Sequence, residues 1–397
     1  MNTAVLERGG TRGAAASPVP ASGRIPELDG LRGLAILLVI LCHYVGDPKH
    51  GPLGFWVDRM LSALSVGWSG VDLFFVLSGF LIGGILLDAR ATPHYFRAFY
   101  MRRVHRILPV YYGWLLLFAV LAAVALWFFP GRYPVQPRDL YQIPGYMLFL
   151  QNMMYDLTPF QWIWLSMMWS LAIEEQFYLL APPLIRFVTL RHVVFTLAAT
   201  ICFAPVLRLL ALRYLSLGSY IAVFAMPCRA DALACGMLLA VAWREDRFRA
   251  FLAEHTTLLR RILLALSFLV AALLWWLAHP VSVVTVTIGY GSLAAFYSCL
   301  LLFVLSQKQS WVAGVMRWKI LRGLGTISYC VYVIHATIHQ FVHRLLLHDA
   351  PQIYNARGVG VTLLALAVTL IVASISWRYF EKPLIRRGHA YSYGEAA

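Results

Sequence analysis

Two side chains capable of proton transfer and anion binding lie in one apolar stretch, LDGLRGLAILLVILCHY, at residues 28–44. Arg32 and His43 are eleven residues apart, close to three turns of an α-helix, so both are predicted to share one face, about 16 Å apart. Asp29 lies three residues before Arg32 and joins that face. A charge inside a membrane costs at least about 2.5–3.5 kcal/mol unless it faces protein or water, so this face is predicted to line an interior cavity.

Three further apolar stretches also contain ionisable side chains. GVDLFFVLSGFLI contains Asp72, WSLAIEEQFYLLAP contains Glu174 and Glu175, and CRADALACGM contains Arg229 and Asp231. An imidazole that acts as a base needs a hydrogen-bond acceptor on its second nitrogen, and the first three carboxylates are the candidates for that role at His43. Arg229 and Asp231 fit either a structural ion pair or a substrate contact.

The stretch LGTISYCVYVIHATIHQ predicts another polar helix face. Ser328, Tyr332 and His335 are at positions i, i+4 and i+7, which lie on one side of an α-helix, and Tyr329 is beside them. Their hydroxyl and imidazole groups fit either a substrate contact or a structural hydrogen-bond network.

A basic segment, residues 90–112, contains five arginines and no lysine. Arg102, Arg103 and Arg106 are spaced so that a helix presents Arg106 together with one of the other two. Positive residues that hold a loop on the cytoplasmic side explain such a segment without any ligand. Guanidinium groups, however, match phosphate oxygens better than lysine does, so the segment also predicts a cytoplasmic ligand that carries phosphate.

The elements that position these residues are predicted to be membrane helices. The chain of 397 residues is 60% hydrophobic and 13% charged, with a mean hydropathy of +0.70, whereas soluble domains average roughly 45–50% and about 25%. Apolar runs of about 20 residues predict an all-α polytopic protein with about ten transmembrane helices. The predicted spans are roughly 29–46, 66–88, 107–129, 161–185, 193–212, 220–243, 262–279, 283–306, 323–345 and 357–378.

The loops predict the orientation and the domain limits. Most Lys and Arg fall in alternate loops, which places both termini in the cytoplasm and accounts for the net charge of +15 without nucleic acid. We expect a flexible cytoplasmic tail at 1–26, a transmembrane domain at 27–385 and a cytoplasmic tail at 386–397. Segment 141–155 is too short to span and is predicted to be interfacial or re-entrant.

The six cysteines lie in apolar runs and form no CxxC pair. The sequence therefore predicts neither a disulfide framework nor a metal site.

Two classes of function fit ionisable groups distributed across a membrane. One is a proton-coupled transporter of a sugar or lipid-linked substrate. The other is a transmembrane enzyme that takes a phosphate-bearing donor from the cytoplasm and acts near the outer face. The arginine-only segment favours the enzyme, because a transporter does not require it.

Seven stretches, in order, resemble acyltransferase family 3, the bacterial membrane O-acyltransferases that modify surface or exported glycans. The resemblance extends from about Leu28 to Pro383. The matching stretches are LDGLRGLAILLVILCHY, GVDLFFVLSGFLI, YMRRVHRILPVYY, WSLAIEEQFYLLAP, RADALACGMLLA, LGTISYCVYVIHATI and YFEKPLI.

The resemblance implies an acyl-CoA donor, most often acetyl-CoA, with no permanently bound cofactor. It implies a hydroxyl acceptor, usually a glycan, on the extracytoplasmic side of the bacterial inner membrane. Arg102, Arg103 and Arg106 would then bind the CoA phosphates, and Arg32 would contact a phosphate or the pantetheine arm.

His43 is the residue that the resemblance implies for the reaction itself. It would act either as general base for the acceptor hydroxyl or as a nucleophile that carries the acyl group. Glu174 ranks first among its orienting acids, because the family motif has an acid at that place.

Overall fold

The computed structural model describes residues 25–48, 55–133, 135–154, 159–277 and 282–394. This part of the chain is helical, which confirms the all-α prediction for it. The α-helices are α1 Pro26–Leu41, α2 Phe55–Ser65, α3 Gly70–Asp88, α4 Tyr95–Phe128, α5 Arg138–Tyr141, α6 Ile143–Met147, α7 Pro159–Leu165, α8 Trp169–Phe187, α9 Leu190–Tyr214, α10 Gly218–Phe224, α11 Met226–Ala242, α12 Asp246–Glu254, α13 Thr256–Leu277, α14 Tyr290–Ser306, α15 Trp311–Met316, α16 Lys319–Leu347, α17 Ala356–Ser376 and α18 Lys382–His389.

Within the described residues, 8 candidate spans are long and apolar enough to cross a membrane. They match eight of the ten predicted spans, and the protein is a multi-pass membrane protein. The other two predictions, 161–185 and 323–345, fall largely on α8 and α16, whose polar residues lower their hydropathy. The count of ten and the cytoplasmic termini remain predictions.

The other segments for which the sequence analysis made a prediction are short or terminal. Residues 141–155 include α6 and a 3₁₀ turn at Gln151–Met153, and neither is long enough to cross a membrane. Of the expected N-terminal tail, only residues 25 and 26 lie within the described part. The boundary expected at 385 falls inside α18, which packs against α4.

Helices α1 and α16 run side by side in the same direction and form one of the most extensive helix contacts of the fold. A Cβ atom on Gly33 would lie 1.9 Å from the Leu321 carbonyl oxygen, and one on Gly325 would lie 1.9 Å from the Asp29 carbonyl oxygen. Because any side chain at these positions would collide with backbone, the two glycines allow the polar faces of α1 and α16 to meet.

A buried charge network joins α3, α9 and α11. Arg229 donates to Asp72 across 2.8 Å, and Arg208 donates to Asp231 across 2.8 Å. All four side chains are buried, and the Arg229 guanidinium lies 3.7 Å from the centre of the Tyr290 ring. Each charge is thus offset by an opposite one, as burial in an apolar interior requires.

This network corrects two predictions. Asp72 pairs with Arg229 and is not a partner of His43. Arg229 and Asp231 do not pair with each other, because each has its partner on another helix, Arg229 on α3 and Asp231 at Arg208 on α9. These residues therefore hold three helices together.

The glycine contact predicts a strong effect of one substitution in α16. Gly325→Leu should lower the midpoint of thermal unfolding in detergent, because the new side chain must push the α1 backbone away at Asp29. Overpacking of this kind typically costs 1–3 kcal/mol, and backbone contact makes the upper end the expected value. Gly323→Leu is the matched control, since a Cβ at Gly323 meets open space. Equal midpoints for the two variants would contradict the prediction.

The charge network predicts that a single substitution and a double substitution differ in their effect on stability. Arg229→Met leaves Asp72 buried and unpaired, which should cost about 3–5 kcal/mol of stability in detergent. Adding Asp72→Leu removes the orphaned charge, so the double variant should be more stable than Arg229→Met alone. Arg249→Met is the control, because Arg249 pairs with the exposed Asp246 one turn away on α12 and should contribute about 1 kcal/mol or less. A double variant less stable than Arg229→Met would argue against the network.

Candidate functional site

Two neighbouring cavities lie between α1, α3, α4, α8 and α16. We call the larger one, of about 740 Å³, the arginine cavity, because Arg32, Arg102, Arg103, Arg106 and Arg244 line it. The smaller, of about 110 Å³, is the carboxylate cavity, lined by Ser78, Glu174, Glu175, Tyr178 and Tyr332 among others. Arg32, Arg103, Arg106 and Tyr329 line both, so the two cavities meet at these residues.

The arginine cavity carries an excess of positive charge. Its five arginines face three carboxylates, those of Asp29, Asp88 and Glu381. All three arginines predicted in the basic segment lie on α4 and line this cavity. Arg244, in the turn that follows α11, also lines the cavity, and the sequence analysis did not identify it. Such a lining favours an anionic ligand.

The α4 guanidinium groups are held by contacts that leave donors available. Arg102 Nε donates to the Tyr391 carbonyl oxygen across 2.9 Å, and its guanidinium lies 4.7 Å from the centre of the Tyr393 ring. Arg103 lies 5.3 Å from the centre of the Tyr178 ring. Because cation–π contact uses the face of the guanidinium, its in-plane N–H groups can still bind phosphate oxygens.

In the carboxylate cavity, Glu174 is fixed by two hydroxyl groups. Ser78 donates to its Oε1 across 2.7 Å and Tyr178 donates to its Oε2 across 3.0 Å. Arg32 donates to Ser328 across 3.4 Å, and Tyr332 shares a 2.6 Å hydrogen bond with a serine hydroxyl of α8. Polar groups from α1, α3, α8 and α16 therefore converge here.

His43 lies in a π-helical turn, Cys42–Gly46, that directly follows α1. The Asp47 amide donates to the Cys42 carbonyl oxygen across 2.8 Å, an i→i+5 bond of the π type. In this turn His43 Nδ1 lies 2.8 Å from Asp47 Oδ2, and the imidazole remains 23% exposed. An ionised Asp47 favours the tautomer with Nδ1 protonated, so that the lone pair is on Nε2.

The carboxylate that contacts His43 is therefore Asp47, and not one of the three acids that the sequence analysis named. Glu174 is bound by Ser78 and Tyr178, Asp72 is bound by Arg229, and Glu175 lines the carboxylate cavity. These three carboxylates belong to other parts of the structure.

A histidine of α16 connects His43 to the carboxylate cavity. The rings of His43 and His335 have centres 5.1 Å apart, and the centres of the His335 and Tyr332 rings are 5.9 Å apart. His335 is fully buried, and its Nδ1 lies 2.8 Å from the Tyr332 carbonyl oxygen. Its Nε2 is buried and has no hydrogen-bond partner among the described residues, so it offers a free lone pair beside His43.

The structure brings most of the predicted site residues together. The lining of the two cavities includes Asp29, Arg32, Arg102, Arg103, Arg106, Glu174, Glu175, Ser328, Tyr329 and Tyr332. His43 and His335 lie beyond the Tyr332 end of the carboxylate cavity. Asp72, Arg229 and Asp231 line neither cavity. The residues that the sequence analysis missed are Asp47, Ser78, Tyr178 and Arg244.

Comparison with known proteins identifies the family of the chain. Residues 25–378 match the family model described as an acyltransferase domain. The chain is 26% identical over 373 residues to the O-acetyltransferase OatA of Staphylococcus aureus. It is 28% identical over 380 residues to the putative peptidoglycan O-acetyltransferase YrhL of Bacillus subtilis, and 26% identical over 377 residues to the peptidoglycan O-acetyltransferase OatA of Listeria monocytogenes.

Each alignment covers 92% of this chain but only 55–58% of the relative, so the chain spans little more than half the length of these proteins. No solved structure matches the chain. The matched region contains nearly all residues that line the two cavities, together with the His43–Asp47 pair. The chain therefore belongs to the acyltransferase domain family, as the seven sequence stretches predicted.

Proposed function

We propose that this protein is a membrane O-acyltransferase that moves an acetyl group from acetyl-CoA to a hydroxyl of a glycan. The observation that carries the proposal is the continuous series of polar groups from the arginine cavity, through the carboxylate cavity, to His43. Acetyl is proposed because the relatives bear the name O-acetyltransferase, and a glycan because two of them are named for peptidoglycan. Family membership favours group transfer over the proton-coupled transporter.

The arginine cavity is the proposed site of the nucleotide part of CoA. This part carries a 3′-phosphate and a pyrophosphate, which guanidinium groups bind through paired N–H donors. Arg102 and Arg244 line only the arginine cavity, whereas Arg103 and Arg106 also line the carboxylate cavity. We therefore assign Arg102 and Arg244 to the phosphates furthest from the thioester. Arg32 lies where the cavities meet and would contact the pantetheine arm.

The carboxylate cavity is the proposed path of the pantetheine arm toward His43. Tyr332 is at one end of this cavity, and His335 separates it from His43. Substrate entry then requires the Tyr332 side chain to leave its hydrogen bond with Ser170.

His43 can promote transfer in either of two ways, and both use Asp47 to orient the imidazole. As general base, Nε2 takes the proton of the acceptor hydroxyl, whose oxygen attacks the thioester carbonyl; the C–S bond then breaks and the sulfur receives the proton. As nucleophile, Nε2 first accepts the acetyl group and then passes it to the hydroxyl. Either route yields an ester and free CoA.

The proposal also includes the direction of acetyl transfer across the membrane. Arginine-rich segments remain on the cytoplasmic side of membranes, so we place the arginine cavity there and His43 toward the opposite face. Acetyl-CoA would then be taken from the cytoplasm, and the glycan would be modified on the extracytoplasmic side of the bacterial inner membrane.

Donor binding is the first test. Purified protein should bind acetyl-CoA, and Arg102→Ala or Arg106→Ala should raise Kd about tenfold or more, since a hydrogen bond to a charged group contributes about 1.5–3 kcal/mol. Each variant should also show a weaker dependence of Kd on salt. Calorimetry in detergent would measure the Kd of each variant and the dependence of Kd on salt. The titrations would use acetyl-CoA as the first ligand and 3′-dephospho-CoA as the second.

Arg97→Ala is the matched control for donor binding. Arg97 lies on the same helix but does not line either cavity, so its Kd should remain within about twofold of wild type. An Arg102, Arg103 and Arg106 triple variant with unchanged Kd would contradict the assignment of the arginine cavity.

The His43–Asp47 pair predicts a separation between binding and turnover. His43→Ala should lower acetyl transfer by roughly 10²–10⁴-fold, the usual contribution of general acid–base catalysis, while acetyl-CoA binding is retained. Asp47→Asn should give a loss of similar size, because an amide that donates to Nδ1 holds the tautomer with Nε2 protonated, which has no lone pair for the acceptor. Mass spectrometry of acetylated peptidoglycan fragments would measure transfer.

His192→Ala is the control for that experiment, because His192 is exposed at the start of α9 and its imidazole hydrogen-bonds only to Thr189 among the described residues. Its transfer rate should equal that of wild type. Full activity of His43→Ala would exclude this histidine from the reaction.

A further inference from the structure

The π-helical turn brings three metal-ligand atoms together: Cys42 Sγ, His43 Nδ1 and Asp47 Oδ2. Asp47 Oδ2 lies 2.8 Å from His43 Nδ1 and 3.5 Å from Cys42 Sγ, and the three atoms lie within 4.8 Å of one another. We propose that these residues form a Zn²⁺ site, and that the bound ion inhibits acyl transfer by occupying His43 and Asp47. The inhibitory part rests on the proposed function.

Two of the three separations are close to those of a zinc complex. Tetrahedral Zn²⁺ with bonds of about 2.3 Å to sulfur, 2.0–2.1 Å to nitrogen and 2.0–2.2 Å to oxygen places sulfur and oxygen about 3.6 Å apart, and nitrogen and oxygen about 3.4 Å apart. The sulfur–oxygen distance of 3.5 Å already fits. The nitrogen–oxygen distance must widen by about 0.6 Å, which a rotation of the Asp47 side chain can supply, since it is 48% exposed.

The backbone conformation is what creates the cluster. In a regular α-helix, residues i and i+5 point about 140° apart, so Cys42 and Asp47 would diverge. The π-type hydrogen bond from Asp47 to Cys42 widens the turn and brings both side chains to the same side. Spacing rules based on CxxC pairs do not identify such a site, which is why the sequence predicted none.

The donor set also fits the charge of the ion. Binding releases the thiol proton of Cys42, so thiolate and carboxylate supply two negative charges, and the neutral imidazole supplies the third ligand. The complex would have no net charge, which suits a site at the edge of an apolar interior. The thiol now donates to the Ser65 carbonyl oxygen across 2.9 Å, a bond that it would give up on losing its proton.

Occupancy would remove both functions of the His43–Asp47 pair. Nδ1 would bind the metal instead of donating to Asp47, and the carboxylate would no longer stabilise an imidazolium. When Nδ1 gives its lone pair to the metal, the neutral ring carries its proton on Nε2, which then has no lone pair to act as base or nucleophile. The exposed Asp47 and the half-buried His43 give the ion a route to the site from solvent.

Binding of Co²⁺ to the purified full-length chain in detergent tests the site without any activity measurement. Thiolate ligation to Co²⁺ gives an intense near-ultraviolet charge-transfer band. We expect this band to saturate at one Co²⁺ per chain and to disappear when Zn²⁺ is added. Cys42→Ser should abolish the band, whereas Cys202→Ser, which alters an exposed thiol, should retain it. The proposal fails if wild type shows no band, or if the band survives Cys42→Ser.

Asp47→Asn provides a second variant that does not alter the protein interior. It should raise the Kd for Co²⁺ more than about tenfold, because even partners outside the ligand shell typically contribute 10–100-fold to metal affinity. An unchanged Kd would remove Asp47 from the site.

Inhibition is measured separately, as acetyl transfer with Zn²⁺ relative to the rate of the same variant in chelator. Wild type should lose most of its activity in Zn²⁺ and recover it in chelator, and Cys42→Ser should be less sensitive. If Co²⁺ binds but Zn²⁺ leaves transfer unchanged, the inhibitory role is wrong. If no transfer is found under any condition, the proposed function fails, and the Co²⁺ titration still decides whether the metal site exists.

Discussion

The close contact between α1 and α16 is the constraint on which the site depends. Each helix carries polar residues that lipid disfavours, and the contact between the two helices buries several of them. Gly33 and Gly325 remove the side chains that would separate the two backbones. At this spacing Arg32 reaches Ser328, and Tyr44 donates to the His335 carbonyl oxygen across 3.0 Å. The two polar faces thereby form one continuous surface between the cavities and His43.

Buried charges in the apolar interior are arranged in two different ways. In the network of α3, α9 and α11, each arginine pairs with one aspartate, and the cost of desolvation is offset within the protein. In the arginine cavity, guanidinium groups outnumber carboxylates, and aromatic rings rather than acids support Arg102 and Arg103. The paired charges of α3, α9 and α11 thus balance one another, whereas the excess of positive charge in the arginine cavity favours an anionic ligand.

Sequence periodicity predicted which side chains share one face of a helix. The eleven-residue spacing placed Arg32 and His43 toward a common partner, which is α16, and the i, i+4, i+7 pattern placed Ser328 and His335 on the face that meets them. Contacts between distant segments could not be predicted from the sequence, because spacing within a helix does not reveal which helix packs against it. The pair of Asp72 and Arg229, which are 157 residues apart, is the clearest example.

Asp47 was missed for a local reason. It is four residues after His43, a spacing that normally joins side chains on a helix, but the first span was expected to end at residue 46. The π-helical turn continues the helix long enough to bring Asp47 back under His43 while leaving both side chains accessible to solvent. An acid buried at this place would orient the imidazole but would be costly without a fixed counter-charge. An accessible acid avoids that cost, and the consequence is that the same groups are open to metal ions.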